Sequence, residues 1–218
     1  MDSPSCWTVV VPVKPVRVAK SRLRVPTDEL RALLVVAMAV DTVAAALGCP
    51  AVEAVYVVSS DPQVSSAVSA LGVIVMADEP DAGLNPALVH AAEVASRAWP
   101  ECGVSALTAD LPALTVLDLA AALEAAGRCS RAMVADADSL GTTLLTAAPG
   151  VPLNPAFGPD SRRRHLDDGV VELDLRGETG LRCDVDTLDD LAAAEALGVG
   201  TRTRAVLRQL SGLGARPE

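Results

Sequence analysis

The sequence is poor in lysine, aromatic residues and histidine. Only two of its 18 lysine and arginine residues are lysines, and it has four aromatic residues and two histidines. With so few aromatic residues, the core has to be built from valine, leucine and alanine. The net charge of −10 argues against nucleic acid as a partner, since a nucleic-acid surface needs a basic face, and it leaves no polybasic patch for a membrane.

We expect neither a membrane span nor a leader peptide from this sequence. The longest uncharged apolar run, 32–40, is too short to cross a bilayer, and residues 1–4 lack the cationic start of a signal peptide. The five cysteines are scattered and form no close pair, which favours a reducing compartment and offers no zinc site. These absences predict a cytoplasmic protein.

Several catalytic motifs are also missing. The first strand is followed by neither a GxGxxG sequence nor a Walker-type lysine motif, which weakens dehydrogenase and kinase interpretations. No Ser/His/Asp triad can be assembled. His90 and His165 are isolated in the sequence, and we expect a packed or surface position for each rather than a role in chemistry.

The segments that are present alternate between strand and helix patterns. Strands are predicted at 7–13, 52–59, 73–76, 104–109, 132–135, 143–147, 170–175 and 181–185, and helices at 27–47, after 61–62, after 85–86 to about 99, 115–126, 187–197 and from about 201. This alternation predicts an α/β, Rossmann-like fold with a mostly parallel central sheet. We expect residues 1–218 to form a single domain.

Both lysines lie in one loop, directly after the first predicted strand. Between Lys14 and Arg24 there are five cations and no acid, which reverses the sign of the chain's overall charge. Open α/β sheets bind ligands at the carboxyl ends of their strands. Lys14, Lys20 and Arg22 are therefore candidates for binding a phosphate-bearing polyanion, although a solvated basic loop remains the alternative.

Three aspartates are candidates for a metal site. Asp110 follows a buried strand, and Asp184 and Asp186 are two residues apart, which places both on one face of an extended segment. Carboxylates gathered at a sheet edge suit Mg²⁺. The alternative is that each aspartate caps a helix. A DxDT phosphatase nucleophile is not favoured, because that motif normally follows the first strand of its chain.

A second loop, 149–164, is rich in proline, glycine and arginine, and it is too long for an idle turn. Within it, Gly158 permits close backbone approach, and Ser161 lies at a possible helix start. Thr142 and Thr143 offer hydroxyls upstream. These residues are candidates for binding a phosphate or carboxylate, with an ordinary turn as the alternative.

Six motifs in order along the chain resemble those of the guanylyltransferases of deazaflavin (coenzyme F-420) biosynthesis. They are PVKPVRVAKSRL at 12–23, GLNPAL at 83–88, ADLPAL at 109–114, GTTLL at 141–145, FGPDSRRRH at 157–165 and LRCDVDTLDDL at 181–191. The resemblance implies a nucleotidyltransferase fold of the glycosyltransferase-A type. It implies transfer of GMP from GTP to a small phospho-acid, with release of pyrophosphate.

The same resemblance implies roles for individual residues. Asp110, Asp184 and Asp186 would hold Mg²⁺. Lys14, Lys20, Arg22 and Asn85 would bind the nucleotide, with Asp110 and the two lysines acting in catalysis. Thr142, Gly158 and Ser161 would contact the phospho-acid, with Thr143 as the alternative to Thr142.

The resemblance leaves the acceptor open between phosphoenolpyruvate and 2-phospho-L-lactate. Actinobacterial members are associated with the former, and the arginine-rich, lysine-poor composition favours it. The activated product makes a direct hand-off to the next transferase of the pathway plausible. The alternatives are a related nucleotidyltransferase, such as a molybdopterin guanylyltransferase, and a non-catalytic subunit that only binds nucleotide.

Overall fold

The computed structural model describes residues 6–17, 19–20, 22–175 and 179–214. Residues 1–4, on which the leader prediction rests, and Val18 and Ser21 of the basic loop lie outside the described residues.

A seven-stranded sheet forms the centre of the fold. Its strands are β1 (Trp7–Pro12), β2 (Val52–Val58), β3 (Ile74–Met76), β4 (Gly103–Leu107), β5 (Arg131–Ala135), β6 (Thr142–Ala147) and β7 (Val171–Glu172). The helices are α1 (Asp28–Gly48), α2 (Pro62–Ser69), α3 (Leu84–Ala98), α4 (Val116–Ala126), α5 (Ser161–Asp167), α6 (Leu188–Leu197) and α7 (Thr201–Gly214).

The strand order is β3-β2-β1-β4-β6-β5-β7, and β6 is the strand that runs antiparallel to its neighbours β4 and β5. The other pairs are parallel. The predicted α/β fold with a mostly parallel sheet is therefore confirmed.

Alternating side chains of β1 reach the two faces of the sheet. Val9 and Val11 pack with α1 and α4 on one face, whereas Val10 packs with α3 on the other. A third apolar cluster joins the outer side of α1 to α6 and α7. Helix α1 is long and apolar enough to cross a membrane by length and composition alone, but here it packs between the sheet and α7, with 56% of its most apolar window buried.

Local capping signals set several helix starts. Thr27, Thr115 and Thr187 each accept a hydrogen bond from the first turn of the helix that follows, and Asp61 does the same for α2. The expected start of α3 at Asn85-Pro86 is wrong, because the helix begins at Leu84 after the N-cap Gly83.

Two strand predictions and the cysteine prediction need correction. The strand expected over 170–175 shrinks to β7, and 181–185 is irregular, because Val185 N–H bonds to the Asp110 carbonyl and Ala137 N–H to the Arg182 carbonyl without a continuous ladder. Cys6 and Cys102 form a disulfide with 4.7 Å between their Cα atoms. They are 96 residues apart in sequence and become neighbours because β1 pairs with β4.

Candidate active site

A cationic cleft of about 350 Å³ lies at the carboxyl ends of β1 and β4. Lys14, Lys20 and Arg22 line it from the basic loop, while Asp110 and Asp186 line it from the loops after β4 and before α6. A larger depression of about 730 Å³ lies beside α3, but Glu79, Asp81 and Glu93 make its wall acidic. The cationic cleft is therefore the better site for a polyanion.

The backbone of the basic loop is anchored while its cations stay accessible. Val16 N–H donates to the buried Asp61 carboxylate at 2.9 Å, and Val16 and Leu23 are themselves buried. Lys14 and Arg22 are exposed. The anchoring holds the loop backbone at the cleft and leaves the Lys14 and Arg22 side chains accessible to a ligand.

Asp110 is positioned from both sides by groups distant in sequence. The Thr42 hydroxyl, in the middle of α1, accepts from Leu111 N–H at 3.1 Å, and its proton is shared between the Met38 carbonyl at 2.9 Å and the Ala109 carbonyl at 3.2 Å. On the other side, the Asp110 carbonyl accepts from Val185 N–H at 3.0 Å. These bonds explain how the 183–186 segment comes to lie beside the end of β4.

Lys20 lies between two of the predicted metal-binding carboxylates. Its Nζ donates to Asp110 Oδ2 and, at 2.6 Å, to Asp186 Oδ1. Arg22 is farther away, with its Nη2 3.9 Å from Asp186 Oδ2. Burial opposes the charge of Lys20, but the two carboxylates outweigh it and raise the pKa of this ammonium. Burial likewise opposes the charge of Asp186, and the bond from Lys20 outweighs it and lowers the pKa of that carboxyl.

Asp184 lies in a more acidic environment than Asp186. Both are half-buried, whereas Cys183 before them and Val185 between them are buried, the alternation expected for an extended segment. Only Asp186 lines the cleft. Burial, followed by the charges of Asp110 and Asp136, raises the pKa of Asp184 to about 7.

The oxygen atoms at this edge of the sheet fit a hard cation such as Mg²⁺. Asp110 Oδ1 and Thr108 Oγ1 are both buried and have no hydrogen-bond partner among the described residues. Within the same described part of the chain, no group of three or more metal-ligating side chains is drawn together in metal-binding geometry. The magnesium site therefore stays a prediction, supported by the orphaned oxygen atoms.

The candidate phospho-acid residues form a second group, away from the wall of the cationic cleft. Ser161 begins α5, its Oγ lies 3.3 Å from Thr142 Oγ1, and its N–H donates to the Gly158 carbonyl at 3.1 Å. Thr143 points elsewhere, with its hydroxyl 3.4 Å from the Val134 carbonyl. Thr142 is thus the threonine that lies beside Ser161.

Asn85 belongs to this second group rather than to the cationic cleft. Its Oδ1 accepts from Phe157 N–H at 2.8 Å, and its Nδ2 donates to the Phe157 carbonyl at 3.1 Å. The side chain therefore ties the start of α3 to the 156–161 loop. Contact between Asn85 and the nucleotide remains a prediction.

The structure adds three residues that the sequence interpretation missed. Asp136 accepts from Leu140 N–H at 2.9 Å and Gly141 N–H at 2.7 Å, and Arg182 donates to the carbonyls of Ala135 and Asp136. Asp136 directly follows β5, as Asp110 closely follows β4, so its position was an available signal. His165 is fully buried beneath Thr142, so the packed position expected for it is confirmed, but the sequence did not predict its hydrogen bond to that threonine.

Comparison with known proteins assigns the chain to a family. Residues 7–217 match the family described as Guanylyl transferase CofC like. The chain is a member of the CofC-like guanylyl transferase family.

Relatives of this CofC-like chain are similar over nearly their whole length. A phosphoenolpyruvate guanylyltransferase from Streptomyces coelicolor is 55% identical over 205 residues, covering 94% of this chain and 97% of the relative. One from Thermomonospora curvata is 51% identical over 209 residues, covering 96% and 92%.

Solved structures show the same fold at low identity. A nucleotidyl transferase from Methanothermobacter aligns with a TM-score of 0.58 at 20% identity, covering 88% of this chain and 97% of that one. The 4-diphosphocytidyl-2C-methyl-D-erythritol synthase of Anaerococcus prevotii gives a TM-score of 0.57 at 10% identity, covering 88% and 96%. The CofC-like chain therefore has the nucleotidyltransferase fold that its motifs implied.

Proposed function

We propose that this CofC-like protein transfers GMP from GTP to the phosphate of phosphoenolpyruvate, giving enolpyruvoyl-diphospho-guanosine and pyrophosphate. The observation that carries the proposal is the cationic cleft facing Asp110 and Asp186, in a chain about half identical to proteins named for this reaction. A role in coenzyme F-420 biosynthesis follows from the motif resemblance. Hand-off of the product to the next transferase is part of the same proposal.

The reaction needs no nucleophile from the protein. A phosphate oxygen of the acceptor attacks the α-phosphorus of GTP, the bond from that phosphorus to the α–β bridging oxygen breaks, and pyrophosphate leaves with the electron pair. The attacking oxygen is already ionised near neutral pH, so no protein base is needed. Catalysis therefore depends on positioning and on neutralising charge.

The residues of the cleft supply that neutralisation. Lys14, Lys20 and Arg22 would bind the triphosphate and offset the charge that develops on pyrophosphate. Asp110 and Asp186, with Asp184 beside them, would hold Mg²⁺, which when bound supplies charge at the phosphate oxygens. Thr142, Gly158 and Ser161 would orient the phospho-acid.

A cytoplasmic location is proposed on the basis of these substrates, since GTP and phosphoenolpyruvate are metabolites of that compartment. The cysteine argument for it no longer applies, because Cys6 and Cys102 are paired.

Measuring pyrophosphate release in the presence of GTP and Mg²⁺ tests the proposal. Purified protein is supplied in parallel with phosphoenolpyruvate, with 2-phospho-L-lactate or with neither. Release with phosphoenolpyruvate alone is the expected result. Release with phospholactate alone would keep the reaction and overturn the acceptor. No release in any reaction from folded, GTP-binding protein would overturn the proposed activity.

A further inference from the structure

His165 is a fully buried polar residue that the proposed reaction leaves without a role. It lies on α5, four residues after Ser161, so both side chains are on the same side of the helix. The ring packs edge-on against Phe157, with 5.5 Å between the ring centroids. Both ring nitrogens have hydrogen-bond partners.

One of those partners fixes the tautomer of the imidazole. Ala156 N–H points at Nε2 from 2.9 Å. A backbone amide can only donate, so Nε2 has to be the unprotonated nitrogen. In the neutral ring the proton is therefore on Nδ1, which lies 3.0 Å from Thr142 Oγ1. His165 donates to Thr142.

Neutrality of the ring is also supported by its surroundings. Burial, followed by the charges of Arg131 and Arg164, lowers the pKa of His165 to about 4, against a smaller opposing effect of Asp168. The imidazole is then uncharged at neutral pH.

The Nδ1–H tautomer determines which hydroxyl protons of Thr142 and Ser161 are free to be donated. Thr142 and Ser161 have two hydroxyl protons between them, and one is used in their mutual bond at 3.3 Å. Because His165 also donates to Thr142, the other hydroxyl proton is left to point elsewhere. Among the described residues, its available acceptor is Met133 Sδ at 3.8 Å, a weak acceptor that an anion would displace.

The opposite tautomer would remove this capacity. Thr142 would then donate to Nδ1 and Ser161 to Thr142, so neither hydroxyl would have a proton for an anion. Burial of Thr142 and Ser161, at 5% and 2% exposed, leaves bulk water little access to rearrange the network.

We propose that His165 is a positioning residue for the anionic phospho-acid: held as the Nδ1–H tautomer by Ala156, it donates to Thr142 and so leaves the Thr142–Ser161 pair one proton to donate to the acceptor. The inference rests on the proposed function for the identity of the acceptor. The directions of the hydrogen bonds do not depend on that function.

Two replacements of His165 separate the two ring nitrogens. In His165→Asn the amide nitrogen is as many bonds from Cα as Nδ1, so the donor to Thr142 can be kept. In His165→Gln the amide instead reaches the place of Nε2 and the donor to Thr142 is lost. We expect His165→Gln to raise the KM for phosphoenolpyruvate about tenfold or more, because one hydrogen bond to a charged ligand is lost. The KM for GTP should change less than about twofold. His165→Asn should restore most of the loss, and His90→Gln is the matched control.

A Thr142→Val background tests whether His165 acts through Thr142. There, His165→Gln should have little further effect on the acceptor KM, and fully additive effects would overturn the proposal. Equal losses in His165→Asn and His165→Gln, in step with lowered stability, would also overturn it.

Nitrogen-15 NMR of the histidines in wild-type protein at pH 7 reads the tautomer directly. A protonated Nδ1 with a bare Nε2 is expected for His165, assigned by its loss in His165→Asn, and a protonated Nε2 or a cationic ring would overturn the proposal. If the same sample released no pyrophosphate with any phospho-acid, the proposed function would fail while the spectrum still decided the wiring.

Discussion

The buried imidazole of His165 should make the protein lose stability in mild acid. Its pKa is lowered to about 4 in the folded protein, against 6.5 for an unperturbed imidazole. Between these values the unfolded chain binds a proton that the folded chain does not. The contribution of the neutral His165 ring to the free energy of unfolding is therefore complete above pH 6.5, and it is lost as pH falls towards the folded pKa.

The size of this loss of stability follows from the difference between the two pKa values. At about pH 5 the unfolded imidazole is almost fully protonated and the folded one almost neutral, so the difference is about 1.5 pH units at about 1.4 kcal/mol each. Between about pH 8 and pH 5, wild-type protein should thus lose about 2 kcal/mol that His165→Asn does not lose.

Urea denaturation at these two pH values, in chelator to remove metal ions, measures the effect. Asp184 acts in the opposite sense, because its pKa is raised and its carboxyl favours folding as pH falls. Its effect is common to both chains and cancels in their difference. His90→Gln is the control variant for replacing a histidine outside the Thr142–Ser161 network. Equal losses of stability in wild-type protein and His165→Asn would refute the buried neutral imidazole.

Three further substitutions have distinct expected results. Asp110→Asn should lower the turnover number about 100-fold or more while the protein stays folded, since Lys20 keeps Asp186; near-normal turnover would contradict the metal assignment. Asn85→Ala removes both bonds to Phe157 and should cost about 1–3 kcal/mol in the free energy of unfolding, measured in urea; an unchanged midpoint would count against the link. Gly180→Ala places a Cβ against the Ala113 carbonyl and should lower the free energy of unfolding by about 1–3 kcal/mol, seen as a melting temperature several degrees lower. Gly150→Ala is the control for backbone strain alone, because its Cβ would enter open space at a φ of +74° that alanine adopts only with strain.

Much of the fold could be predicted because its signals are local. The apolar run of β1 and the caps Thr27, Asp61, Thr115 and Thr187 each depend on neighbouring residues. The start of α3 was misplaced because Asn85 bonds to a partner 72 residues away instead of capping its own helix. The irregular segment before α6 is shaped by single bonds to the ends of β4 and β5, which no local pattern reveals.

The same difference between local signals and long-range contacts applies to the candidate site. Lys14, Lys20 and Asp110 could be found because cations or an acid follow a buried strand. His165 could not, because its role depends on Ala156 and Thr142 meeting it in three dimensions. The pairing of Cys6 with Cys102 was hidden for the same reason, since it depends on which strands are neighbours.

The contact of Lys20 with Asp186 spans 166 residues of sequence. During synthesis the lysine leaves the ribosome long before the aspartate, so the complete cleft cannot exist until almost the whole chain has emerged. Ligands that need both ends of this contact can bind only the finished fold, and they stabilise the molecule as a whole rather than any early-folding part of it.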